Sequence, residues 1–227
     1  MEHTMWSAFQ HASFVGKFTW VLLVILSVYS LAVMFDRWKS YRNARAESLQ
    51  FLPAFVKCLK ENKLDEAVAT ARKFKASHIA KVVIAGLLEY QNDEKDMKNT
   101  HDLVSAVGRA LDRSVALTAA EMKKGLSGLA TIGSAAPFIG LFGTVLGIIA
   151  AFGTISTAGA GNISAVSGAI AEALYATALG IGVAVPAVMA YNYFTTRHER
   201  FMIEMSNSSA ELVDFFLKKH EATHAGR

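Results

Sequence analysis

Between Gly125 and Thr196 the chain reads GLSGLATIGSAAPFIGLFGTVLGIIAAFGTISTAGAGNISAVSGAIAEALYATALGIGVAVPAVMAYNYFTT. One of these 72 residues, Glu172, is charged at neutral pH, and none is Lys, Arg, Asp or His. A water-soluble domain must show polar surface somewhere, so it has no use for such a segment. The stretch is long enough for two membrane-spanning helices with a short connection. The chain therefore reads as a membrane protein whose function turns on that one carboxylate.

Working outward, a third apolar stretch runs from Phe18 to Phe35. It is long for the core of a signal peptide and runs into Asp36-Arg37-Trp38-Lys39 without a small-residue cleavage site, so it reads as a retained span. The expected organisation is an external amino terminus (1–13), transmembrane helix 1 (14–35) and a cytoplasmic helical region (36–124). Transmembrane helix 2 (125–153), a short external loop (154–163), transmembrane helix 3 (164–194) and a cytoplasmic carboxyl-terminal helix and tail (195–227) follow. At 1.5 Å per residue each span can cross about 30 Å of hydrocarbon. Thr154-Ile155-Ser156-Thr157-Ala158-Gly159-Ala160-Gly161-Asn162 marks the link by its Gly and Ser content.

Orientation follows from the basic residues. Of the 23 Lys and Arg, 17 fall between Arg37 and Lys124 and five follow Thr196, while Lys17 alone lies toward the other end of span one. The 36–124 region and the carboxyl tail are thus expected in the cytoplasm. The insert reads helical, since Leu64, Ala67, Val68, Ala71 and Phe74 keep an i, i+3, i+4, i+7 spacing, as do Leu103, Val107, Leu111 and Val115. The second set leads through Leu117 and Met122 into span two, which suggests one long helix. Pro53 and the run Asn92-Asp93-Glu94-Lys95-Asp96 are the expected breaks. Phe201, Met205, Leu212 and Phe216 carry span three onward as a helix. The fold expected is an all-α membrane protein with three transmembrane helices and long helical extensions.

A carboxylate inside a membrane costs a few kcal/mol when ionised and marks a functional group by default. Glu172 reads as a proton- or ion-handling group, with a structural interhelical hydrogen bond as the alternative. Gly168, Glu172, Ala176, Gly180 and Ala184 recur every four residues, and span two carries Gly140, Gly143 and Gly147. Such flanks let helices approach closely, and three spans in one chain suggest that oligomerisation uses them. Thr131, Ser134, Thr144, Thr154 and Thr177 are hydroxyl candidates for a polar path, although an ideal helix puts Thr177 about 140° around from Glu172. Pro137 and Pro186 sit inside spans two and three, where each removes a backbone hydrogen bond.

Other classes fit poorly. A net charge of +4 carries no general polyanion-binding character, so no nucleic acid is expected. Cys58 is single and no Cys/His cluster has metal-site spacing. His3, His11, His78, His101, His198, His220 and His224 lie in or beside polar segments and read as solvated. Trp6, Trp20 and Trp38 bracket span one like interfacial aromatics. Without a nucleotide-binding, hydrolase or zinc motif, an enzyme is not expected, nor is any cofactor.

The run from Ala130-Thr131-Ile132-Gly133 through Pro137-Phe138-Ile139-Gly140-Leu141-Phe142-Gly143-Thr144-Val145-Leu146-Gly147-Ile148 carries a resemblance. So does Ile170-Ala171-Glu172-Ala173-Leu174-Tyr175-Ala176-Thr177-Ala178-Leu179-Gly180, with Val185-Pro186-Ala187 and Tyr191-Asn192. Together they closely resemble the ExbB/TolQ branch of the MotA/TolQ/ExbB proton-channel family. The resemblance implies a homopentameric ring in the bacterial inner membrane around two copies of an ExbD- or TolR-like single-span partner with a protonatable Asp. Proton flow would move the partner and pass energy to the periplasm through TonB-like or Tol-Pal components, or to motility machinery in some relatives. It also implies that Glu172 faces the inner pore, that Thr144 and Thr177 line it, and that Pro137 and Pro186 match the family's prolines. Two departures are visible: Leu146 stands where relatives often have Trp, and Gly168-Ala169 replaces a common Pro-Gly. The competing expectation is a passive scaffold holding a partner helix.

Overall fold

The computed structural model describes residues 14–93, 100–158 and 163–225, with side chains over 16–92, 102–153 and 167–221. All regular structure among them is helical: α1 Phe14–Lys60, α2 Leu64–Lys73, α3 His78–Asp93, α4 Thr100–Lys123, α5 Leu126–Ala158 and α6 Ile163–Ala225. Two compact units result. The first holds α1 as far as Phe35 together with Gly125–Tyr193, and the second holds Asp36–Lys124 with α6 from Phe194 onward. Three helices, α1, α5 and α6, are long and apolar enough to cross a membrane. The expected amino-terminal segment 1–13 and the centre of the expected link, 159–162, lie outside the described residues. Around that centre the helices reach further in than the Gly and Ser content suggested. None of residues 154–158 is Gly or Pro, so nothing there interrupts the backbone ladder.

In the first unit α5 and α6 run antiparallel, as three glycine contacts show. A Cβ added at Gly140 would lie 2.7 Å from the Ala176 carbonyl oxygen and 3.0 Å from Thr177 Cα. One at Gly147 would meet Ala173 Cβ at 3.0 Å, and one at Gly133 would collide with Val188. Around these contacts Ala136, Ala151, Ala173, Ala176, Ala184 and Ala187 are buried. α1 closes the bundle, with Tyr29 against Gly128 and Thr19 against Gly143, so it runs antiparallel to α5. Outside, Phe18, Ile25, Phe138, Phe142, Leu174 and Met189 are each more than half exposed, an apolar surface suited to lipid.

The glycine contacts correct one expectation. Gly140, Gly143, Gly147, Ala176 and Gly180 pack within this chain, so they are not free flanks awaiting a second copy. Gly168 differs, since a Cβ there would meet nothing within 4 Å. The reason is helical phase. A four-residue step advances 40° beyond a full turn, so Gly168 has drifted about 80° off the face that Ala176 presents.

In the second unit α1 passes straight through Pro53. Proline removes one intrahelical bond, yet Phe51 and Phe55 on either side are buried and stack with ring centroids 5.0 Å apart, which anchors the helix. The break falls instead at Asn62, which takes a left-handed φ of 56°. There Lys63 N–H donates to the Cys58 carbonyl and Asn62 N–H to the Leu59 carbonyl, the paired bonds of a Schellman cap. The single long helix expected from Leu103 into span two is also broken, because Gly125 adopts φ +83° between α4 and α5. That conformation suits glycine. Among the last carbonyls of α4, Glu121 and Met122 accept from Arg37 Nη1 at 3.2 and 3.3 Å, and Met122 also from the Tyr41 hydroxyl at 2.9 Å. Burial pushes the Tyr41 phenol up to about 12, against the lowering field of Arg37.

Leu103, Val107 and Leu111 of α4, Met205, Leu212 and Phe216 of α6, and Ala67, Val68 and Ala71 of α2 meet in one core. Tyr90 stacks on Phe216 with ring centroids 4.0 Å apart. These are the residues whose periodicity marks the insert and tail as amphipathic helices.

The histidines depart from expectation. His78 is 1% exposed. Its Nε2 lies 2.7 Å from Glu204 Oε2 and its Nδ1 3.1 Å from the Ser48 hydroxyl, which in turn pairs with Ser77 at 2.7 Å. Ser77 caps α3 by accepting from Ala80 N–H at 3.1 Å, and Glu47 accepts from the Ala76 N–H at 2.7 Å. His198 pairs with the Ala119 carbonyl at 3.0 Å and His220 with the Tyr90 hydroxyl at 3.2 Å. A polar sequence neighbourhood misled here, because helix geometry turns one residue of a polar run inward. The side chains of His3, His11, His101 and His224 lie outside the described residues.

Two predictions arise. Gly140→Ala forces a methyl against α6 backbone and destabilises by roughly 1–3 kcal/mol, read as a lower apparent Tm in detergent, whereas Gly168→Ala leaves Tm unchanged. Burial holds the His78 imidazole below its ordinary 6.5, outweighing the pull of Glu204. The unfolded chain therefore takes up this proton first, and stability is lost as pH falls below the ordinary histidine value. Apparent Tm is expected to drop from neutral pH to about 5.5, and His78→Gln to flatten that drop. An unchanged slope in the variant would assign the titration elsewhere.

Candidate functional site

The α5–α6 seam holds the polar groups of the first unit. Thr144 on α5 is 7% exposed, and its Oγ1 lies 3.0 Å from Thr177 Oγ1 on α6. Two carbonyls of its own helix are also near, Leu141 at 2.6 Å and Gly140 at 3.3 Å. A hydroxyl has one proton to donate. When Thr144 gives its proton to the Leu141 carbonyl, Thr177 becomes the donor between the two threonines. Either hydroxyl can be the donor of the bond between them.

The pair exists because the backbones are close. The Gly140–Gly180 contact brings α5 and α6 together, since a Cβ at Gly180 would lie 2.6 Å from the Ala136 carbonyl oxygen and 3.1 Å from Gly140 Cα. Short threonine side chains then reach across a gap that larger flanks would have widened.

Glu172 lies half-buried on α6, five residues and about 7.5 Å of helix rise before Thr177. Its neighbour Ala173 fills the space at Gly147. By the same phase argument as for Gly168, Glu172 sits about 40° from the Ala176 face, at the margin of the seam. Pro137 and Pro186 are carried inside α5 and α6, and both helices continue past them.

The other hydroxyls separate from this group. Thr131 donates to the Ser127 carbonyl at 3.0 Å, and Ser134 contacts the Ala130 and Thr131 carbonyls at 3.1 Å; both are exposed and satisfied within their own helix. The Thr154 side chain lies outside the described residues. Two α1 residues escaped the sequence reading. Thr19 is 2% exposed, with its Oγ1 3.3 Å from where a Gly143 Cβ would stand. Trp20, expected at the membrane interface, is buried and meets Tyr175 edge-on with ring centroids 6.5 Å apart. Only the Gly143 notch, which admits Thr19, could have hinted at this. Trp38 is half exposed beneath the Arg42 guanidinium, 5.3 Å from its ring centroid, and Trp6 lies outside the described residues. Among the described residues no group of three His, Cys, Asp or Glu side chains could hold a metal ion.

Comparison with known proteins gives the family. Residues 75–207 match the MotA/TolQ/ExbB proton channel family. The chain is 32% identical over 217 residues to the biopolymer transport protein ExbB of Salmonella typhimurium, covering 92% of this chain and 85% of that protein. It is 34% identical over 201 residues to the Tol-Pal system protein TolQ of Pseudomonas aeruginosa, covering 88% and 87%. The TolQ of Haemophilus influenzae is 32% identical over 190 residues, covering 83% of each chain. The matched region takes in the core-forming α3 and α4, all of α5 and α6 as far as residue 207, so the resemblance is not confined to apolar composition. With an all-helical fold, three helices able to cross a membrane and a match over most of its length, the chain belongs to the MotA/TolQ/ExbB proton channel family.

Proposed function

We propose that the chain is a proton-channel subunit of an energy-transducing motor in the bacterial inner membrane. Glu172 takes up and releases the proton, and Thr144 and Thr177 extend its hydrogen-bonding path. The observation that carries this reading is Glu172 itself, the one residue of the 125–196 stretch charged at neutral pH, half-buried beside a seam that holds the Thr144–Thr177 hydroxyl pair. A membrane carboxyl is retained at a cost of a few kcal/mol, which a proton-handling role explains.

In this reading the amino terminus is periplasmic and the 36–124 region and carboxyl tail are cytoplasmic, as the distribution of basic residues favours. The subunit assembles as a homopentamer around two copies of an ExbD- or TolR-like single-span protein. The protonatable Asp of that partner supplies the second acid that one chain lacks between residues 125 and 196. Proton transfer between the two acids moves the partner, which acts in the periplasm or on the outer membrane through TonB-like or Tol-Pal components. A proton crossing 100 mV yields about 2.3 kcal/mol, enough to shift a two-state arrangement about fifty-fold. The chain itself catalyses no covalent chemistry and needs no cofactor.

The test is Glu172→Gln, co-expressed with an ExbD- or TolR-like partner. The expected result is loss of proton-driven activity with assembly intact, judged by unchanged elution of the complex. A passive scaffold, the competing reading, survives this substitution, so full activity in the Gln variant overturns the proposal. Thr144→Val and Thr177→Val are each expected to lower activity roughly ten-fold, the loss of one hydrogen bond of about 1.4 kcal/mol. The serine variants should retain most of it. Equal activity of the Val and Ser forms would remove the hydroxyls from the path.

A further inference from the structure

Within the second unit a cavity of about 220 Å³ is lined by Arg37, Ser40, Lys81, Thr118, Glu121 and Lys124, among others. Among the lining side chains Arg37, Lys81 and Lys124 are cationic and Glu121 is the carboxylate; Arg37 is paired with Asp36, His78 of the lining with Glu204, and the Ala76 N–H of the lining donates to Glu47. Glu121 Oε2 is taken by Lys81 Nζ at 2.8 Å. The α4 carbonyls of Glu121 and Met122 are taken by Arg37 and Tyr41. The principal acceptors are therefore engaged, while donors remain.

Thr118 is the telling residue. It is 5% exposed, yet its hydroxyl makes no hydrogen bond among the described residues. Its oxygen is not sealed in protein either, because it is absent from the fully enclosed unpartnered atoms. The hydroxyl therefore opens onto the cavity, where it can donate to a bound group. Ser40, half-buried, likewise makes no hydrogen bond among the described residues, and Lys124 makes no ion pair among them. Two hydroxyl donors, a lysine without an ion pair and a net positive wall together describe a site for an anion whose oxygens only accept.

We propose that this cavity binds a phosphate-type anion through Lys81, Lys124 and the hydroxyls of Thr118 and Ser40, with Arg37 contributing field rather than free donors. Phosphate fits because it offers several acceptor oxygens to lysine ammonium and hydroxyl groups at once. The anion is carried by a lipid headgroup or is free phosphate. The headgroup is the nearer source, because Arg37 follows the apolar segment ending at Phe35 by about 3 Å of helix rise, and Lys124 immediately precedes the next apolar segment. Basic pockets at such positions hold anionic headgroups.

The full-length protein in neutral detergent is titrated with dioleoylphosphatidylglycerol, with dioleoylglycerol and, separately, with inorganic phosphate at constant ionic strength, following apparent Tm. Phosphatidylglycerol is expected to raise Tm where dioleoylglycerol does not, and Lys124→Gln and Thr118→Val each to weaken the response roughly ten-fold. A response to inorganic phosphate as strong as to the lipid, lost in the same variants, supports the site with free phosphate as the source. Without added anion Thr118→Val should melt close to the parent, since the hydroxyl makes no hydrogen bond among the described residues. Lys124→Gln, an exposed change without an ion-pair partner among the described residues, keeps the test open should the valine variant misfold. No response to either anion, or equal responses in parent and variants, overturns the proposal.

Discussion

The first unit depends on the near-contact of two glycines, Gly140 on α5 and Gly180 on α6. Absent side chains let two backbones meet where any Cβ would overlap carbonyl oxygen or Cα. In lipid the hydrophobic effect does not drive helices together, so dispersion between closely apposed backbones and interhelical hydrogen bonds carry the association. The Thr144–Thr177 bond follows from that approach, because two short side chains can touch only across a narrow gap. Widening the seam would cost packing and polar connection together, which ties the stability of this unit to its chemistry.

The second unit is held by the opposite means. Its core of Phe51, Leu103, Leu111, Met205 and Phe216 is of the kind found in water-soluble proteins, and its polar groups act as helix caps and cross-links. Arg37 and Tyr41 close the end of α4, Ser77 and Glu47 the start of α3, and His78 bonds Ser48 and, 126 residues along the sequence, Glu204. Both α1 and α6 serve the two environments in succession. Each changes from an apolar lipid-facing exterior to an amphipathic helix with a charged face, and the change falls near Asp36 and Phe194.

Much was readable in advance. Uncharged runs of sufficient length specify spanning helices almost regardless of context, because backbone groups in hydrocarbon must be satisfied within the segment. The helical periods of Leu103, Val107 and Leu111, and of Phe201, Met205, Leu212 and Phe216, placed the core faces of the second unit. Local signals proved weaker where packing competed. Pro53 looked like a break, but its flanking phenylalanines anchor α1 through it; one long helix was expected from Leu103 into span two, but the positive φ of Gly125 divides α4 from α5. A spacing of exact fours likewise suggested one continuous small face, whereas 3.6 residues per turn carried Gly168 off it.

From sequence alone came the membrane class, the helical content, the isolation of Glu172 and the hydroxyl candidates, since each depends on composition or on period along one helix. Partnership between elements was decided only by the tertiary structure. It placed Gly140 opposite Gly180, paired Thr144 with Thr177 while Thr131 and Ser134 bonded to their own helix, and buried Trp20 and His78. The reason is physical: which face of a helix meets which neighbour depends on the rotation and axial offset of two rods. Those are set by packing over the whole bundle, and a single residue's neighbours along the chain do not contain them.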